Sequence, residues 1–191
     1  MPALAQVRLL MTVKWFSVGW ALAAMLVGHP VTGEDAATRR ARDVRSVFFV
    51  ARSTNKNQVH YGVRVDAACN PIGAEPVYGY WQMLESRGEI EPILALETPA
   101  YGLQESQSIR KSGSTTTIRV KLRAFPERPL DIAVVKGRAG CEAVATTTIA
   151  GSEAQIAFIY VKLRWPFGIE YVLLRGWGRT EGRAVEEVIR N

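Results

Sequence analysis

From Ser46 onwards, apolar and polar positions alternate in short blocks separated by turn residues, which is the period of β-strands. Val47-Phe48-Phe49-Val50-Ala51 is a nearly continuous apolar strand. After the turn Ser53–Asn57, Val59, Tyr61, Val63 and Val65 point one way, and His60, Arg64 and Asp66 the other, a hairpin with one wet face. Cys69 to Glu75 is a loop marked by Asn70-Pro71 and Gly73. Val77 to Leu84 is rich in aromatics and reads as a strand. Ile93 to Gly102 predicts one short helix, with Pro99 at its end, and the polar stretch Gln104–Ser114 an exposed loop.

The last third carries the clearest pattern. Thr115–Ala124 sets Ile118, Val120, Leu122 and Ala124 against Thr117, Arg119, Lys121 and Arg123. Leu130–Lys136, Cys141–Ile149, Gln155–Arg164, Ile169–Trp177 and Ala184–Ile189 follow after short turns. Connections this short allow antiparallel neighbours, whereas parallel pairing needs a crossover of about a dozen residues. The chain is therefore expected to be all-β. It should form an antiparallel meander of about eight or nine strands with one short helix, closing into an up-and-down barrel or a two-sheet sandwich. Phe48, Phe49, Phe158, Tyr160 and Trp177 are assigned to core positions.

The first residues follow a different rule. Arg8 and Lys14 precede the apolar run Trp15–Val27, and no acidic residue occurs before Glu34. Val31-Thr32-Gly33 supplies small residues for a signal peptidase, so residues 1–33 read as a signal peptide cleaved after Gly33. An uncleaved anchor from Val13 to Val31 is the alternative, since a span takes about 20 residues. Arg39-Arg40 follows the apolar run and so is not a twin-arginine signal. Residues 34–45 are a charged, flexible lead-in, and residues 46–191 form a single domain, periplasmic or secreted.

Export changes the reading of the two cysteines. Cys69 and Cys141 are the only pair in the chain, and in an oxidising compartment they read as one disulfide; two reduced, buried thiols are the alternative. Net charge is +6, and loss of Arg8 and Lys14 reduces it to a mild excess. Scattered basic residues of that number suit a solvated surface or an anionic envelope ligand better than nucleic acid.

Catalytic and metal motifs are missing from the pattern. His60 is the single histidine after the leader, so any imidazole base must be His60, and Cys69 would be its nucleophile only without the bridge. Zinc spacing, calcium-loop carboxylates, a nucleophile elbow and phosphate-binding glycine loops do not occur. Glu85, Glu97, Asp131 and Glu170 are ordinary carboxylates that a glycosidase pair would have to be drawn from. No cofactor is expected.

Two groups fit binding surfaces. Tyr78, Tyr80 and Trp81, with Tyr101, offer rings with polar tips for a pocket lining or sugar platform, core packing being the alternative. Arg119, Lys121 and Arg123, with Lys162 and Arg164 as partners across the sheet, would favour an anionic head group if they line a barrel mouth, and are a solvated face otherwise.

Phe48–Asn57, Tyr80-Trp81, Glu97 with Ala100-Tyr101-Gly102, and Trp165-Pro166-Phe167-Gly168 carry a resemblance. The chain resembles a family of exported bacterial proteins known only as a domain of unknown function, over Ser46 to about Ile189. The resemblance implies one domain and assigns no catalytic residue. The expectation is a non-catalytic module for a small amphipathic or anionic ligand. The alternative is a structural or protein-interaction component of the cell envelope, reached through a sheet edge or the basic face.

Overall fold

A computed structural model describes residues 44–164, 168–180 and 182–190. The expected signal peptide, lead-in residues 34–43 and Trp165-Pro166-Phe167 lie outside the described residues. The strands are β1 (Val44–Arg52), β2 (Gln58–Val63), β3 (Val77–Met83), β4 (Glu89–Pro92), β5 (Ser108–Ser112), β6 (Thr115–Leu122), β7 (Phe125–Lys136), β8 (Cys141–Ile149), β9 (Ser152–Leu163), β10 (Ile169–Gly178) and β11 (Ala184–Arg190). A single helical turn, α1 (Thr98–Tyr101), interrupts them.

The fold is mostly β, as expected, in one mixed sheet that does not close into a barrel. β1 to β4 form one antiparallel run of neighbours and β5 to β11 another. The two runs join where β1 lies parallel to β9, with Phe49 opposite Phe158 and Arg52 opposite Val161. This corrects the expectation of a purely antiparallel meander. Short turns constrain consecutive strands only, and here the crossover is the whole chain from β2 to β8.

β9 is long enough, at twelve residues, to serve two neighbours along one edge. Ser152–Gln155 pair with β8 and Phe158–Val161 with β1, while β10 covers the opposite edge. The sheet therefore forks and ends at β4, β5 and β11. β4 and β5 are the two strands that the sequence pattern missed, β5 lying in the expected loop. Every residue of both is exposed, so no apolar alternation marks them, and only backbone pairing does. All three edges carry charges: Glu89 and Glu91 with Pro92, Arg110 and Lys111, and Glu186 and Glu187 with Arg190. Such residues discourage pairing with a further strand.

The helix is also shorter than expected. Leu94 and Leu96 are exposed and supply no buried face, and Pro99 sits in the first turn rather than at the end. Proline is tolerated there because that N–H has no helical acceptor.

Inward positions of the two wings form one core. Phe48 and Val50 of β1, Val59, Tyr61 and Val63 of β2, Ile118 and Val120 of β6, Ile132 of β7, and Ile156 and Ile159 of β9 are all buried within it. Gly176 sits where the register of β9 and β10 shifts; a Cβ there would lie 2.1 Å from the Gln155 carbonyl oxygen. No helix among the described residues is long and apolar enough to cross a membrane.

Two links reinforce the fork. Cys69 and Cys141 are bridged, with Cα atoms 5.3 Å apart, tying the loop after β2 to the start of β8. The Asp66 carboxylate accepts the Ala68 and Asn70 N–H groups, which shapes the turn presenting Cys69 at φ 65°. Arg128 of β7 donates to both carboxylate oxygens of Glu187 on β11, and Glu187 also accepts the Ala150 N–H at 2.7 Å.

The bridge closes a loop with a sequence separation of 72. Reduction, or the double substitution Cys69→Ser/Cys141→Ser, should lower the unfolding free energy by roughly 4 kcal/mol in urea titrations, by restoring loop freedom to the unfolded chain. The Arg128 hydrogen bond holds the Glu187 carboxyl below its ordinary value of 4.5. Its contribution is complete above that pH and is lost as pH falls through the depressed value. Glu187→Gln should therefore cost about 1–3 kcal/mol at neutral pH and flatten the acid limb of the stability curve.

Candidate functional site

Strand alternation divides the aromatic group. On β3, Trp81 faces the core while Tyr78 and Tyr80 face the other side of the sheet. Trp81 meets Tyr101 edge-on at 5.1 Å, with the Arg52 guanidinium 4.7 Å from its ring centre. Its Nε1–H donates to Glu97 Oε2 at 2.8 Å, and the same oxygen accepts the Leu94 N–H. The buried Tyr61 hydroxyl donates to the Tyr101 carbonyl at 2.7 Å, and burial raises its pKa. Tyr61 passes Gly79, where a Cβ would come within 3.2 Å of its ring. These bonds anchor α1 across the end of the core.

Beside that anchor lies an apolar cavity of about 270 Å³. Val50, Ile159, Val161 and Val172 wall it from β1, β9 and β10; Leu122 and Phe125 wall it from β6 and β7, and Ala100 and Tyr101 from α1. Its volume stands at the small end of small-molecule sites, about 300–1,000 Å³. An apolar group fits this lining, because very little polar surface is exposed in it.

On the opposite face, β9, β1, β2 and β3 place Phe158, Phe49, His60 and Tyr80 in one cross-strand row. Their rings stack at 5.4, 5.3 and 5.7 Å, and Tyr78 continues the stack 6.0 Å from Tyr80. Arg175 covers the Phe158 end and Arg64 the Tyr78 end. This overturns the assignment of Phe49, Phe158, Tyr160 and Trp177 to the core, where only Phe48 of that set belongs. The signal was available, since consecutive Phe48 and Phe49 must point to opposite faces of one strand.

His60 sits half-buried in this stack. The Ser46 hydroxyl lies 2.7 Å from Nδ1 and the Gln58 amide oxygen 3.0 Å from Nε2, so both ring nitrogens have a hydrogen-bond partner. An amide thus occupies the place where a catalytic base would have a carboxylate. Cys69 is held in the disulfide and is no nucleophile for His60.

The cationic group separates too. Arg119 makes a bidentate pair with Asp131, at 2.7 and 2.6 Å, which raises its pKa. Arg123 donates to the Leu103 carbonyl and to Glu105. Lys121 is half-buried on β6, whereas Lys162 on β9 and Arg164 just after it lie three strands away. Among the described residues, no three His, Cys, Asp or Glu side chains are grouped as metal ligands.

Residues 48–188 match a family model described as a domain of unknown function, DUF4833. The chain belongs to the DUF4833 family. The match agrees with the resemblance carried by the motifs at Phe48–Asn57 and Tyr80-Trp81, and it takes in both faces of the DUF4833 sheet just described. No curated protein and no solved structure matches the chain.

Burial lowers the His60 pKa below 6.5. The unfolded chain then binds that proton more readily, so stability is complete above pH 6.5 and declines as pH falls through it. Thermal unfolding between about pH 5 and 8 should show this slope in the parent, and His60→Phe should remove it while keeping the ring stack.

Proposed function

We propose that this domain is an exported, non-catalytic binding module that takes the apolar part of a small amphipathic molecule into the cavity beside α1. The observation carrying this reading is the apolar lining contributed by both wings of the sheet and by Tyr101. Arg123 lies in sequence between the lining residues Leu122 and Ala124, and exposed Arg164 directly follows Leu163, which suits a polar or anionic head group outside an apolar seat. The carboxylate partners of Arg119 and Arg123 argue against a purely anionic ligand. The apolar leader and the disulfide support export. Partner capture by strand addition is the weaker alternative, because all three sheet ends carry charges.

Native mass spectrometry of the protein purified from an export compartment, compared with its denatured mass, tests the reading. Excess mass lost on denaturation is expected, together with dodecanoate binding by the ligand-free protein. Val172→Phe, which fills the cavity, should weaken dodecanoate at least about tenfold while keeping the unfolding midpoint, as volume added to a void is tolerated. A clean native mass with no dodecanoate uptake would sink the proposal.

A further inference from the structure

A second surface lies on the outer side of the other wing, on the face turned away from the apolar cavity. Strand register places Arg119 of β6, Asp131 of β7, Thr146 of β8, Gln155 of β9 and Trp177 of β10 directly opposite one another, in one line across five strands. Four interstrand steps make this line about 19 Å long. From Asp131 to Trp177 the line borders an open trough of about 580 Å³, which Thr117, Glu153 and Arg179 also line. Trp177 is 49% exposed, the cost of leaving an indole in water on a sheet whose inward positions are apolar.

The chemistry of the line selects a ligand class. Its charged groups are already matched: Arg119 with Asp131, and Arg179 with Glu153 at 2.7 Å on the same trough. A phosphate or sulfate would find guanidinium groups shared with carboxylates, and an apolar chain would find hydroxyls and amides. A sugar meets both demands of this surface. Its C–H face stacks on an exposed indole, and its vicinal hydroxyls donate to Asp131 and Glu153 and accept from Arg179 and the Gln155 amide. The extended line of groups suits several rings end to end better than a monosaccharide. We infer that this trough binds a neutral oligosaccharide lying across the strands, with Trp177 as its stacking platform. The inference is independent of the apolar cavity, with which the trough shares no residue.

Titration calorimetry of the full chain with cellotetraose, chitotetraose and maltotetraose tests it. At least one should bind, and Trp177→Ala and Gln155→Ala should each weaken that sugar about tenfold or more, with Val172→Phe leaving it unchanged. Both altered side chains are exposed, so unfolding midpoints should stay at the parent value. Should Trp177→Ala misfold, Gln155→Ala and the Trp177 indole N–H shift of the parent on sugar addition decide the matter. Absence of binding by all three sugars at millimolar concentration overturns the inference. So does binding indifferent to both substitutions, or tighter binding of heparin than of any neutral sugar.

Discussion

The edge of β9 is the constraint on which the molecule depends. A strand offers one row of hydrogen-bonding groups on each side, and β9 divides one of its rows between β8 and β1. Because the sheet twists, two neighbours attached along different lengths of one strand diverge into separate wings. Their inward side chains then meet in one core, and the arrangement leaves three sheet ends where an ordinary sheet has two. Without the parallel pairing of Phe49–Arg52 to Phe158–Val161, the first four strands would have no attachment in the sheet.

The other long-range links act on the same fork. The disulfide ties the β2 loop to β8, and the Arg128–Glu187 pair ties β7 to β11, so each joins parts that backbone pairing leaves apart. The half-buried ion pair is satisfied on both carboxylate oxygens and by a backbone N–H, the condition under which such a pair stabilises rather than strains a structure.

Alternation on so broad a sheet creates two chemically different surfaces. The inner surface is aliphatic and leaves an apolar cavity where α1 closes the end of the core. The outer surface is aromatic over β9, β1, β2 and β3, and rich in threonine and paired charges over β6 to β9. The two readings of binding follow from these two surfaces and not from any catalytic grouping. His60, the residue a sequence reader would test first as a base, is a member of the aromatic stack.

The sequence by itself determined the all-β class, nine of the strands and the family resemblance, and it favoured one disulfide over two free thiols. Each of these depends on local alternation, on residue counts or on short motifs. It read the faces of β2 and β6 correctly, because apolar and polar residues alternate over Gln58–Tyr61 and over Ile118–Leu122. Where both faces carry aromatics, as at Phe48-Phe49, alternation no longer tells inside from outside, and only the placement of neighbouring strands does. β4 and β5 escaped because their side chains are all exposed and their pairing is purely backbone. Only the tertiary structure decided that Tyr101 meets Trp81, that Arg119 is neutralised by Asp131, and that β1 runs beside β9. Each of these is a pairing between residues distant in the chain, and register across a sheet is set by the whole set of strands rather than by any one of them.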